Sequence, residues 1–339
     1  MTDSVDFLIV GASVAGSILS AKFAKHGKVV FVDKYIPGTL MNCGGGMPEK
    51  VFKSFDVDIP YLPVKKAIMK IHGKEHWFPC NYVVVNRSEL DNALYKKAIK
   101  AGAEFRNINY TGCDDVDKIA TFKDGKKTVT IHYQKLILAH GYHTAQDPFT
   151  RGKRKVLAGA ARVEIIDEKS SFPDSFYFEI YGEKCPGYSW IFPMPDGKTN
   201  IGSGGFMGIT IHPETLSDFK SAENIHGTVL KKGGGVLPLK PEGKIQKGNI
   251  YLFGDTAGMV NALNGEGLMH INVFAGKYVN AVIKGKNLNL FWKTSSTYWY
   301  LLAAAFVLKL TVFFATFLKI PLYPSACRFV AFVRRRVGP

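Results

Sequence analysis

The chain of 339 residues holds five cysteines, an odd number, and no two of them form a CxxC pair. Cys43, Cys80, Cys113, Cys185 and Cys327 are spaced for neither a disulfide framework nor a zinc site. The opening Met1-Thr2-Asp3-Ser4 runs straight into an apolar stretch, with no succession of basic, apolar and small residues. No secretory leader is expected from that pattern, and the expected compartment is the cytoplasm. Acidic residues are missing from residues 267–339, where ten Lys and Arg run from Lys277 to Arg336, so ten of the formal +16 charges lie there. Nucleic acid would suit such charge. The same segment is also the most apolar of the chain, and that combination points to an anionic membrane surface instead.

What is present begins with VDFLIVGASVAGSILSAKFAKHGKVVFVDK, Val5 to Lys34. It reads as a strand (Phe7 to Val10), a glycine turn (Gly11 to Gly16, with Ser13 and Ala15 inside), a helix (Ser17 to His26) and a second strand (Val29 to Val32) ending on Asp33. Gly11 permits the tight turn and Gly16 the close packing of helix on strand. The free N–H groups at the helix start face a pyrophosphate, and Asp33 stands where an acid accepts ribose hydroxyls. Ser13 occupies the place of the middle glycine. No second glycine fingerprint follows a strand elsewhere, so a separate nicotinamide domain is not expected and electrons would come from a carrier.

Farther along, Asn42-Cys43-Gly44-Gly45-Gly46 lets backbone approach a ligand closely. Two readings stand, a plain flexible loop or a mobile loop beside the cofactor with Cys43 facing it. Strand-like runs follow at Ala67 to His72 and Tyr82 to Val85. Asn86 to Lys100 reads as a helix with Leu90, Leu94 and Ala98 on one face. Arg87 lies in its first turn, where a cation opposes the helix dipole; a phosphate would explain it, and so would a solvated surface. The Asp124-Gly125 pair marks a hairpin, and Lys135 to Gly141 a buried strand returning to the first sheet.

Residues 156–238 alternate like an antiparallel sheet. Within them Tyr188, Trp190 and Phe192 share one strand face, as either a core wall or the wall of an apolar ligand cavity. At NIYLFGD the chain returns to the first sheet, and Gly254-Asp255 stands at a strand end. Gly265-Glu266-Gly267 precedes a helix from Leu268 to Ala281. A carboxylate there can take a ribityl hydroxyl while the helix dipole faces an anion, an arrangement that suits the negatively charged pyrimidine edge of reduced flavin. Residues 299–318 are long enough to span a membrane, but Lys309 falls mid-helix at a cost of about 2.5–3.5 kcal/mol. A monotopic element, a tunnel helix or plain core are the other readings. Pro321 and Pro324 then break the chain, and Arg334, Arg335 and Arg336 could anchor at headgroups.

With these residues the chain resembles the geranylgeranyl reductase family, flavoproteins of the p-hydroxybenzoate hydroxylase-like fold, over roughly residues 5–285. The resemblance rests on the cradle, Arg87 with Leu90-Asp91, YSWIFP at 188–193, GGGVLPL at 233–239 and GDTAGMVNALNGEGL at 254–268. It departs at Ser13, at Ala262 where a proline is usual, and in a shorter C-terminus. It implies a mixed α/β fold: a Rossmann-like FAD-binding domain (1–155 and 239–285), an inserted antiparallel-sheet substrate domain (156–238) and a C-terminal apolar, basic helical segment (286–339).

The implied activity is FAD-dependent saturation of C=C bonds in geranylgeranyl chains, most directly those of membrane ether lipid precursors. An aromatic monooxygenase of the same fold, or a membrane-associated electron-transfer or lipid-binding flavoprotein without chemistry of its own, are the alternatives. FAD would be held by Gly11, Ser13, Ala15, Gly16, Asp33 and Lys34, by Cys43, Gly44, Gly45 and Arg87, and by Gly254, Asp255, Gly265, Gly267 and Leu268. The prenyl chain would lie on Tyr188, Trp190 and Phe192 near the flavin ring, with Cys43, Tyr188 or water as proton donor. Reduced ferredoxin or NAD(P)H would supply electrons. The protein would sit peripherally at the inner face of the cell membrane, a single span being the other possibility.

Overall fold

A computed structural model of the chain describes residues 4–40, 43–142, 158–181, 187–206 and 213–317, with 325, 327 and 328. The chain divides into two compact units of three segments each. The first is Met1–Leu40, Ser88–Val156 and Lys240–Ala303; the second is Met41–Arg87, Leu157–Leu239 and Ala304–Pro339.

The first unit is built on parallel strands in the order Glu104–Arg106, Val29–Val32, Ser4–Val10, Lys127–Leu138 and Ile250–Leu252, with Gln246–Lys247 antiparallel at the edge. All four residues of Val29–Val32 are buried. Such an unbroken apolar run is what a parallel strand covered on both faces requires. The strands end in register, Val10 beside Val32 and Leu138, and Leu138 beside Leu252. Their carboxyl ends therefore form one edge, from which Gly11, Asp33, Ala139 and Phe253 emerge. The hairpin Asn109–Asp114 and Ile119–Asp124 extends the sheet by pairing on Lys127–Leu138. Helices Val14–Phe23 and Leu268–Ile283 pack against each other.

Helix Val14–Phe23 starts three residues earlier than expected, because the turn needs only Gly11 to Ser13. Helix Arg87–Lys100 buries Leu90, Asp91, Leu94 and Ala98.

The second unit is an eight-stranded sheet in the order Thr228–Pro238, Ala158–Asp167, Thr199–Phe206, Gly187–Pro193, Ser175–Tyr181, Tyr61–Ile71, Lys74–Val85 and Gly46–Pro48. Every neighbouring pair is antiparallel except Ser175–Tyr181 with Tyr61–Ile71. One face packs Ile68, Ile166, Tyr177, Ile191 and Ile201 against Leu216 and Phe219 of helix Pro213–Ala222.

Two boundaries differ from those expected. On sequence alone residues 41–87 go with the cofactor unit, yet they supply three strands of the second sheet. The physical reason lies in Tyr61–Ile71: Val64 and Ala67 bury beside Phe176, while Ile68 buries beside Tyr177 and Ile191, so both strand faces find their partners in this sheet. The two long strands Tyr61–Ile71 and Lys74–Val85 close through His72 and Gly73, whose φ of 49° and 75° make the tight turn that a two-residue hairpin needs. The second difference concerns residues from 286 onward, expected as a segment apart. Trp292 is fully buried in the first unit and donates its Nε1–H to the Glu242 carbonyl at 2.8 Å. Pro321, Pro324 and Arg334 to Arg336 lie outside the described residues.

Candidate functional site

The cradle forms at the carboxyl edge of the parallel sheet, where α/β folds bind ligands. Gly11 has φ of 109°, a conformation that L side chains rarely adopt, and a Cβ there would strike the Ala139 carbonyl. A Cβ at Gly16 would strike the Gly11 carbonyl, so helix and turn meet at backbone distance. Ala15 is buried at the same junction, 2.9 Å from where a Cβ on Gly254 would stand.

Ser13 precedes the helix in an extended conformation but does not cap it. Its Oγ donates instead to Asp91 Oδ2 at 2.9 Å. Among the described residues no side-chain cap is made at the first N–H groups of Val14–Phe23, which leaves them for the cradle. Asp33 is half-buried; its Oδ2 accepts from Ala12 N–H at 2.9 Å and its Oδ1 from Tyr35 N–H at 3.0 Å. Two backbone amides thus aim the carboxylate, and its remaining lone pairs suit hydroxyl donors. Lys34 is exposed, with Nζ 4.9 Å from the Tyr35 ring centroid.

Gly254 and Asp255 start a short 3-10 turn directly after Ile250–Leu252 and Phe253. The loop beyond it is organised by Asn261, whose side chain accepts from Leu263 N–H and donates to Tyr300 OH, both at 2.9 Å. Gly265 closes back on the Asn261 carbonyl. Gly267 is the residue before helix Leu268–Ile283, again without a side-chain cap. In that helix's first turn His270 is 5% exposed, and its Nε2 finds no hydrogen-bond partner among the described residues. Burial lowers its pKa to about 4, so the ring is neutral at physiological pH. A glycine-shaped helix entry, a second helix start without a side-chain cap, an aimed carboxylate and an orphaned buried nitrogen fit a dinucleotide with a polar ring system.

The predicted residues Cys43, Gly44 and Gly45 belong to the second unit, where they meet the aromatic strand. Tyr188, Trp190 and Phe192 do share one face of Gly187–Pro193, with centroids 5.9 Å and 6.2 Å apart in succession. Phe178 and Phe176 extend the wall, Phe176 lying 4.3 Å from Phe192. Trp190 is core, packed with Val163, Ile165 and Met194, whereas Tyr188 and Phe192 are half-buried. The ring of Trp190 lies over Gly202 of the facing strand, with Gly204 opposite Tyr188. The Cys43 loop lies against this wall: a Cβ on Gly44 would stand 2.7 Å from Phe192, and one on Gly46 2.8 Å from Phe176. Gly45, at φ 77°, accepts Val85 N–H through its carbonyl. Arg87 heads its helix as expected.

Asn200, Gly202 and His270 were not singled out on sequence, and Asp91 entered only beside Leu90 in the motif that carries the resemblance. Asp91 and Asn200 act through partners distant in sequence, which no local pattern displays. Gly202 carried a signal, its alternation with Asn200 and Gly204 opposite Tyr-x-Trp-x-Phe.

No model of a known protein family matches the chain. A digeranylgeranylglycerophospholipid reductase of Methanococcus vannielii is 28% identical over 324 residues, covering 85% of this chain and 80% of that protein. Among solved structures, a geranylgeranyl bacteriochlorophyll reductase-like protein from Thermoplasma acidophilum superposes with a TM-score of 0.75 at 19% identity, over 98% of this chain and 96% of that one. A flavin-dependent brominase superposes with a TM-score of 0.71 at 14% identity, over 98% of both chains.

Proposed function

We propose that this chain, 28% identical to a digeranylgeranylglycerophospholipid reductase over 85% of its length, is a member of the geranylgeranyl reductase family that binds FAD and saturates C=C bonds of geranylgeranyl chains on membrane ether lipid precursors. The observation that carries the reading is the pairing, in one chain, of an uncapped dinucleotide cradle with a continuous aromatic wall. An alkene offers no hydrogen-bonding group, so a surface that positions it must work by shape and apolar contact. Tyr188, Trp190, Phe192, Phe178 and Phe176 supply such a surface.

When bound and reduced, FAD supplies the hydride. The N–H groups at the start of Val14–Phe23 hold the pyrophosphate, Gly11 and Gly16 let it approach, and Asp33 takes the ribose hydroxyls. Asp255 takes a ribityl hydroxyl, and the start of Leu268–Ile283 stabilises negative charge at the flavin's pyrimidine edge. Arg87 neutralises a phosphate. The aromatic wall excludes water and orients the alkene. The proton that completes the added pair would come from Cys43 Sγ, Tyr188 OH or water. Reduced ferredoxin or NAD(P)H would be the source of the cofactor's electrons. Helix Ser296–Phe317 is long and apolar enough to cross a membrane by length and composition. Its Trp299, Phe306 and Phe313 are 60%, 61% and 48% exposed, which supports seating on the inner membrane face through that stripe.

The test is to incubate the dithionite-reduced holoprotein with geranylgeranyl lipids and follow them by mass spectrometry. A gain of two mass units per double bond is expected. A hydroxylated product under NAD(P)H and oxygen would make the protein a monooxygenase. Lipid recovered unchanged after repeated redox cycles would leave it a carrier without this chemistry.

A further inference from the structure

Asn200 sits on Thr199–Phe206 directly opposite Phe192 in register and is 3% exposed. Its amide makes two hydrogen bonds that join separate parts of the second unit. Oδ1 accepts the Trp190 indole Nε1–H at 2.9 Å, and Nδ2 donates to the Cys43 carbonyl at 3.1 Å. Chemistry fixes which end faces which partner. The indole nitrogen only donates and the carbonyl only accepts, so the amide has one workable orientation, and neither a carboxylate nor an aliphatic side chain could serve both.

The contacts around this bridge make the loop's position a single-valued one. Gly44 and Gly46 lie so close to Phe192 and Phe176 that neither could carry a Cβ without displacing a ring. The Gly45 carbonyl accepts from Val85, and Gly45 N–H points to Cys43 Sγ at 3.5 Å. A loop of three glycines has high intrinsic freedom. The Asn200 bond is the only side-chain tie among the described residues that pins its Cys43 end to the wall.

We propose that Asn200 is a positioning residue: it couples the seat of the Cys43 thiol to that of the Trp190 ring, so that a chain lying on the aromatic wall and the thiol beside it keep one fixed relation. The coupling itself is independent of what the wall binds; its role in reduction rests on the proposed prenyl-reductase function. A shift of Trp190 would be passed through one rigid amide to the Cys43 backbone. Asn200 holds this relation without a contact to substrate or cofactor.

With its carboxyl ionised, as at the alkaline pH used for thiol alkylation, Asn200→Asp separates the two bonds, because it keeps the volume and the acceptor for Trp190 while offering no donor to Cys43. In the full-length holoprotein, without lipid, the rate of Cys43 alkylation by iodoacetamide is read by peptide mass spectrometry. An increase of about tenfold over the wild type is expected, the factor matching loss of one ordinary hydrogen bond. With geranylgeranyl lipid, kcat should fall while KM stays within about twofold, since the wall keeps its shape. If Asn200→Asp does not fold, Gly44→Ala probes the same latch by lifting the loop from Phe192, and the same rise in Cys43 alkylation is expected. An unchanged alkylation rate in the folded variant overturns the coupling. A wild type that alkylates as expected relative to its variant, yet reduces no prenyl lipid, overturns the proposed reaction and the role of Asn200 in it, leaving the coupling standing.

Discussion

Gly202 and Gly204 occupy alternate positions on the same strand face, and the structure sets them apart sharply. A Cβ on Gly202 would run into the six-membered ring of Trp190 and stand 2.5 Å from the Arg162 carbonyl, whereas one on Gly204 would meet nothing nearer than Trp190 Cζ3 at 3.7 Å. Trp190 cannot slide away cheaply, because its Nε1–H is held by Asn200 at 2.9 Å. Gly202→Ala therefore carries two costs. Overpacking a filled site costs roughly 1–3 kcal/mol, and a displaced indole leaves a buried donor unpaired at about 1 kcal/mol or more. Together they come to roughly 2–4 kcal/mol.

Gly204→Ala makes only an ordinary contact and removes backbone freedom from the unfolded chain, which contributes on the order of 0.5 kcal/mol in its favour. Thermal unfolding at a fixed excess of flavin reads the contrast, the fixed ligand being necessary because binding itself raises Tm. At about 2–4 °C per kcal/mol, Gly202→Ala should melt at least roughly 4 °C below the wild type and Gly204→Ala within about 2 °C of it. Equal melting temperatures for the two variants would refute the account of Trp190 as a ring seated on Gly202.

Two further outcomes are expected. His270 has its pKa lowered by burial from 6.5 to about 4. The unfolded chain therefore takes up this proton near pH 6.5 and the folded one only near pH 4, so the contribution is complete above pH 6.5 and is lost as pH falls toward 4. The full difference is about 3 kcal/mol. His270→Phe should flatten the fall of Tm between pH 6.5 and 4.5, and an unaltered slope would show that another group causes it. On the membrane, each basic residue near an anionic surface contributes about 1 kcal/mol and is screened by salt, while burial of Trp299, Phe306 and Phe313 is not. Flotation with anionic vesicles should weaken but persist as salt rises, and should persist only at low salt when these three are changed to Ser. Absence of flotation at low salt in the native protein would leave the charge as a docking surface for an acidic electron carrier.

The parts legible in the sequence are those whose chemistry is local. Gly11, Gly16 and Asp33 belong to one strand-turn-helix-strand, and the side-chain period of two alone puts Tyr188, Trp190 and Phe192 on one face. Ser13 looked like a mere exchange for glycine, but the bond to Asp91 ties its hydroxyl to helix Arg87–Lys100 and keeps it from capping the cradle helix. Asp33, expected as a ribose acceptor, also carries the Ala12 and Tyr35 amides that aim it. What escaped the sequence is pairing without a turn. Tyr61–Ile71 lies parallel to Ser175–Tyr181, more than a hundred residues on, and a parallel pair has no hairpin residues to announce it. That one pairing carries residues 41–87, and the Cys43 loop with them, into the unit that holds the aromatic wall. A cysteine expected beside the cofactor for its glycine neighbours is thus fixed by an asparagine that no local motif contains, and the glycines serve the rings of Phe192 and Phe176 as much as any ligand.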